Sequence, residues 1–214
     1  MKGYILVEGE GELGAAENLI TRLWHEAGHW QHWARAITCK STHQRKGIEK
    51  GIGLVRAKRD AGALLILRDE DDACPRERGP QMASWVRELD PPFPVAVVLM
   101  CREYEVLFLP CVELMAGRPL IGPDGQERPG LLPGTRWEHS DDWERTRDIK
   151  GWLSDHFPPG RVYKPTVDQW PMTRMIDVPT LRAAGVPCFG TLERALAFLA
   201  SSFGGAGVYP PPGG

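Results

Sequence analysis

No stretch of the sequence approaches the roughly 20 consecutive apolar residues that a membrane-spanning helix requires, so a helical membrane protein is not expected. Cysteine is sparse: Cys39, Cys74, Cys101, Cys111 and Cys188 are odd in number and include no CxxC pair. That pattern argues against both a disulfide framework and a structural zinc site. A strong charge is missing too, since 26 basic and 28 acidic residues leave a formal net charge of -2. Nothing draws the whole molecule to a polyanion, and contact with nucleic acid must come from a local patch. There is no internal repeat. A basic leader followed by an apolar segment and a cleavage site is also lacking, so the expected location is cytoplasmic, with no membrane partner.

What is present is an ordinary globular composition: 214 residues, 25% charged and 42% hydrophobic. This is enough for one domain with elaborations. The run Ala63-Leu64-Leu65-Ile66-Leu67 reads as a strand covered on both faces, and it stops at Arg68-Asp69-Glu70-Asp71-Asp72. Tyr4-Ile5-Leu6-Val7 repeats the design, with Glu8-Gly9-Glu10-Gly11-Glu12 behind it, and Val95 to Met100 does so again before Arg102-Glu103-Tyr104-Glu105. Helical spacing over 12–27, 47–59 and through Met82, Trp85, Val86 and Leu89 fills the intervals. This alternation predicts an α/β fold, a doubly wound and mostly parallel sheet flanked by helices. In such sheets ligands bind outside the carboxyl ends of the strands, where these acids fall. Carboxylates crowded on one rim repel unless cations sit among them.

The α/β core is expected over 1–115. Residues 34–38 form a second strand, and Cys74-Pro75 opens a loop that ends near Gly79-Pro80. Residues 116–203 are a loop excursion, centred on a Gly- and Pro-rich stretch at 117–136, followed by a helical elaboration. Its helices fall at about 141–156, after Tyr163 with Thr166 or Asp168 as cap, and over 191–203. Residues 204–214 are expected to be a disordered tail.

Two local patterns carry rival readings. His25-Glu26-Ala27-Gly28-His29 matches the HExxH motif of zinc metalloproteases, although Gly28 and the aromatic-polar residues after it signal a helix that is ending. The basic stretch Lys40, Arg45, Lys46, Lys50, Arg56, Lys58 and Arg59 reads either as a solvated helix face or as a phosphate-binding patch. Trp30, Trp33, Trp137 and Trp170 either stack on bases or pack.

Val7-Glu8-Gly9-x-x-Glu12 at the end of one strand and Asp69-x-Asp71 at the end of another resemble the two signatures of the TOPRIM domain of topoisomerases, primases, RecR proteins and the overcoming-lysogenization-defect (OLD) nucleases. Asp69-x-Asp71-Asp72-x-Cys74-Pro75, Arg102-Glu103-Tyr104-Glu105, Lys150-x-Trp152-Leu153 and Tyr163-x-Pro165-Thr166-x-Asp168-Gln169 further resemble a family of small stand-alone bacterial TOPRIM-like proteins of uncharacterised function. Members of that family are often encoded beside an ATPase in arrangements that suggest phage or plasmid defence. The excursion at 117–136 and the segment His25 to Trp33 do not map onto it.

The resemblance implies a nuclease whose acids hold Mg²⁺ or Mn²⁺, since hard divalent ions take oxygen ligands. Glu8, Asp69 and Asp71 are the expected catalytic ligands. Glu12, Asp72 and Glu103 join them at the metal, Glu105 and Arg102 stand behind them, and Lys40, Arg45, Lys46 and Lys50 meet the nucleic acid, DNA before RNA. Glu10 and Glu70 are expected to alternate away from the rim. A non-catalytic TOPRIM subunit docked on an ATPase is the alternative, and self-association is left open.

Overall fold

The computed structural model describes residues 1–139, 142–143 and 145–212. Its centre is a five-stranded, wholly parallel sheet, so the expected α/β architecture is present. In chain order the elements are β1 (Lys2–Val7), α1 (Glu12–Glu26), β2 (Ile37–Thr38), α2 (Arg45–Arg56), β3 (Ala61–Glu70), α3 (Pro75–Glu88) and β4 (Val95–Cys101). Two 3-10 turns, Tyr104–Leu107 and Leu109–Cys111, lead into α4 (Val112–Met115) and a short antiparallel hairpin, β5 (Leu120–Ile121) and β6 (Glu127–Arg128). Then come α5 (Ile149–Asp155), a π-helical turn at Pro165–Gln169, α6 (Trp170–Met175), α7 (Val178–Ala183), α8 (Pro187–Ser202) and β7 (Val208–Tyr209). The strand order is β2-β1-β3-β4-β7.

Strand periodicity sorts the core into two layers. Ile5, Val7, Leu65, Leu67, Val98 and Met100 face α1 and α8, where Leu19, Trp24, Phe189, Leu192 and Leu199 are buried against them. Tyr4, Leu6, Leu64, Ile66, Val97 and Leu99 face α2 and α3, against Ile48, Ile52, Val55, Met82 and Val86. Each such side chain contributes roughly 1.5–3 kcal/mol by leaving water. Among the described residues no helix is long and apolar enough to cross a membrane.

Several boundaries differ from the sequence expectation: β2 is confined to Ile37–Thr38 of the expected 34–38, and α8 starts at Pro187 rather than at the expected 191. Helix α3 begins at Pro75, because proline at the first helical position sacrifices an amide that lacks a partner anyway, and it runs on through Pro80. Helix α5 begins only at Ile149, where Asp148 Oδ1 accepts from the Gly151 amide at 3.1 Å; of the longer helix expected from 141, Asp141 and Glu144 lie outside the described residues. Asp168 caps no helix: its carboxylate accepts from the Lys164 amide at 2.8 Å and from Arg161 at 2.6 Å, fixing the preceding loop. The expected disordered tail supplies β7, paired in parallel with Val95 and Ala96; Gly213 and Gly214 lie outside the described residues.

Candidate functional site

The site grows from the unequal lengths of the strands. Leu6 of β1 is level with Ile66 of β3, so β3 runs on past the end of β1, and its last residues lie level with Met100 and Cys101 of β4. Side chains alternate there as elsewhere in a strand. Arg68 and Glu70 therefore turn toward the α2–α3 side, while Asp69 turns toward α1.

On the α2–α3 side, Arg68 is 94% removed from solvent and is held between two carboxylates. Its Nη1 donates to Glu70 Oε2 at 2.7 Å and its Nε to Glu8 Oε2 at 3.3 Å. Glu8 also lies 3.7 Å from His43 Nδ1, which brings the loop after β2 onto the same rim. Glu8, Glu70, Asp71 and Asp72 line an open cleft of 880 Å³ together with His43 and Arg78. Glu70, expected to point away, is thus part of this cleft, because Arg68 reaches along the strand to hold it. Glu10 is exposed. Arg102 donates to the Asp71 carbonyl, tying the exposed bend after β3 to the end of β4.

On the α1 side a second group converges. Glu12 opens α1, and its Oε2 accepts from the amides of Glu8 and Gly9 at 3.1 and 3.3 Å. Burial pushes its carboxyl up to about 7, and the neighbouring charges of Glu105 and Glu8 add to the rise against those two hydrogen bonds. Asp69 keeps 22% of its side-chain surface, yet Oδ1 is sealed from water with no hydrogen-bond partner. Burial, then the charges of Glu12 and Glu105, hold its carboxyl well above the usual range. Glu105 is 1% exposed and accepts from the Tyr163 hydroxyl at 2.9 Å; burial raises it too.

One cation, Lys150, serves this group. Its Nζ is 3.0 Å from Glu103, 3.2 Å from Glu105 and 3.9 Å from Asp69, and its amide bonds Glu103 at 3.3 Å. Burial works against the ammonium, but Glu105, Asp69 and Glu103 outweigh it and raise its pKa. Arg102, just before Glu103, and Asp148, two residues before Lys150, both adopt positive φ, at 68° and 53°. Such left-handed non-glycine backbone is tolerated where surrounding contacts fix it.

The expected acids thus lie on one rim but in two groups, Glu8 with Asp71 and Asp72 on one side, Asp69 with Glu12, Glu103 and Glu105 on the other. They meet at the β1–α1 turn, where Glu12 binds the backbone of Glu8. Among the described residues no three His, Cys, Asp or Glu side chains are grouped as they stand to hold a metal ion. Arg68, Lys150 and Tyr163 hold the carboxylates instead. Sequence reasoning assigned these three no role, although Lys150 and Tyr163 fall in the motifs quoted above.

Of the basic residues, Lys40, Lys46 and Lys50 are exposed, whereas Arg45 is committed to Glu49 at 3.1 Å and Glu88 at 2.6 Å. The HExxH match does not form one helical face, because α1 ends at Glu26 and Gly28 turns the chain at φ 82°. Glu26 pairs with Arg182 at 2.5 Å, His25 stacks on Trp30, and His29 packs on Trp24. Trp33 is buried against Gly3 and Trp24, and Trp137 packs on Trp152; Trp30 remains 75% exposed.

A family model described as Domain of unknown function (DUF4276) matches residues 7–197, which takes in every residue of this rim. The chain belongs to that family. No curated protein and no solved structure matches this DUF4276 member.

Proposed function

We propose that the protein is a divalent-metal-dependent nucleic-acid phosphodiesterase of the TOPRIM type, a defence effector that works with an ATPase partner. The observation that carries this reading is the crowding at Asp69, which has a sealed and unpartnered oxygen, two acids pressing on it, and one ammonium shared among three carboxylates. Hard oxygen donors suit Mg²⁺ or Mn²⁺, so the donor set fits such an ion. Asp69, Glu12, Glu103 and Glu105 would hold it on one side of the rim, with Glu8, Asp71 and Asp72 in the adjoining cleft. When bound, the ion supplies Lewis acidity and positive charge for hydrolysis of a phosphodiester.

The remaining work belongs to the chain. Arg68 holds Glu8 and Glu70 against the cleft wall, Lys150 and Tyr163 fix Glu103 and Glu105, and Lys40, Lys46 and Lys50 offer a track for backbone phosphates. Replacing Asp69 and Asp71 together by Ala is expected to abolish Mn²⁺-supported nicking of supercoiled plasmid while the circular dichroism spectrum is retained. Undiminished nicking by that folded variant rejects the reading.

A second reading, a non-catalytic subunit docked on an ATPase, is favoured by the ion pairs through which Arg68 and Lys150 already engage the carboxylates. It expects a persistent complex on co-purification and no cutting with or without the partner.

A further inference from the structure

The sheet is left open along part of one edge. Strand β7 pairs with β4 only at Val95 and Ala96. The Val95 amide donates to Gly207 O at 2.9 Å, so it faces β7. The Leu64 amide donates to Pro94 O and the Arg102 amide to Glu70 O, so the even-numbered residues from 94 to 102 face β3. Strand periodicity then turns the backbone of Val97, Leu99 and Cys101 outward. Tyr209 is followed by Pro210, Pro211 and Pro212, which have no amide hydrogen to continue the ladder. The Cys101 amide donates toward the Cys188 sulfur. Among the described residues no strand covers Val97 to Leu99 on this side.

That uncovered edge is the floor of a cavity of 640 Å³, walled by the first turns of α3 and α8 and closed below by Tyr209 and Pro210. A cavity of this size is in the range of sites that enclose small ligands, roughly 300–1,000 Å³. Its lining is mainly apolar; of its charged residues, Arg182 is held between the carboxylates of Glu26 and Glu193, whereas Arg194 bonds only hydroxyls among the described residues. Arg194 donates to Thr191 Oγ1 at 2.9 Å, and Arg182 pairs with Glu193 at 2.7 Å. An occupant that pairs with Val97 and Leu99, buries apolar side chains and brings a carboxylate to Arg194 suits this lining.

We propose that this edge takes an extended, acidic segment of a partner protein, which adds to the sheet in the line of β7. The Leu99 amide donates to a carbonyl of the segment, and the carbonyls of Val97 and Leu99 accept its amides. Main-chain bonds of this kind supply affinity, and alternate side chains supply specificity. An acidic residue of the segment meets Arg194 at the mouth.

Two positions allow the cavity to be filled without disturbing the backbone. A Cβ on Gly190 of α8 would meet only Arg194 Nη1, at 3.4 Å, and one on Gly79 of α3 only Pro210 Cγ, at 4.0 Å. Both glycines are helical, so a larger residue also raises helix propensity. A library of random decapeptides displayed on phage is panned on the full chain. Enriched sequences are then made as free peptides and titrated against wild type, Gly79→Leu, Gly190→Leu and Arg194→Glu.

Acidic, alternately apolar peptides are expected, with affinity falling at least tenfold in each variant and on N-methylation of the peptide backbone, and with slower hydrogen exchange of the Leu99 amide on binding. The two glycine variants should melt no lower than wild type. Failure to enrich any peptide, equal binding to the filled variants, or binding indifferent to N-methylation overturns the proposal. Competition by hexanoate at the affinity of the peptides also overturns it and makes the cavity a small-anion site.

Discussion

Glu12 and Asp69 are carboxyls whose surroundings favour the neutral form, and this ties stability to pH. Glu12 ionises near 4.5 in an unfolded chain and near 7 here. Between those values the folded state holds a proton that the unfolded state has lost, so stability falls as pH rises through the window and levels off above it. Glu12→Gln keeps an oxygen for the Glu8 and Gly9 amides and removes that cost. It is expected to exceed wild type at pH 8 by up to about 3 kcal/mol, with the gain gone near pH 4.5, as read from urea unfolding. A divalent ion needs the ionised form, so Mn²⁺ affinity measured by calorimetry is expected to rise with pH across the same window. Lys150 gives the complementary test. Lys150→Met leaves Glu103, Glu105 and Asp69 without their shared cation, and a loss of about 1–3 kcal/mol is expected, less than for a fully buried pair because the ammonium is 36% exposed. Added Mn²⁺ should restore part of the lost melting temperature if the rim takes a cation.

At the scale of elements, the rim is anchored by the way α1 meets the C-terminal segment. A Cβ on Gly11 would lie 2.6 Å from Gln169 Oε1 and 2.7 Å from Pro165 Cβ, so the turn carrying Glu12 sits directly on the π-helical turn. Arg22 closes the other end of this contact, donating to the carbonyls of Thr173 at 3.0 Å and Ile176 at 2.6 Å. Gly11→Ala is expected to cost about 1–3 kcal/mol by overpacking, seen as a lower denaturation midpoint. Such contacts explain what the sequence could and could not disclose. The apolar runs of β1, β3 and β4 and the stripes of α1 and α2 announce themselves by period, because each buries a regular face. Strand β7 has only two residues and sits among glycines and prolines; its order comes from pairing with Val95 and Ala96, which no local pattern records. The acids were legible as strand-end clusters. Their cations were not, since Lys150 and Tyr163 reach the rim from far along the chain, and Arg68 reads as one charge among five polar residues. Removing residues 205–212 should expose the whole outer edge of β4, with a lower melting temperature and more light scattering on heating.

The molecule as a whole carries almost no net charge, and its fields are local. The acids gather at the carboxyl ends of the strands, and the exposed lysines Lys40, Lys46 and Lys50 lie on the loop and helix that follow β2, beside the same rim through His43. If duplex DNA is held there, changing these three lysines to Glu should weaken binding across all sequences and flatten the dependence of log affinity on log salt by about one unit per lost contact. Asp69 and Glu105 belong to the first half of the chain, whereas Lys150 and Tyr163, which steady them, lie much later. During translation, at about 5–20 residues per second, the carboxylates emerge seconds before the groups that hold them. The rim can therefore take its final form only late in synthesis, so a nascent chain still on the ribosome carries the acids without the groups that hold them in place.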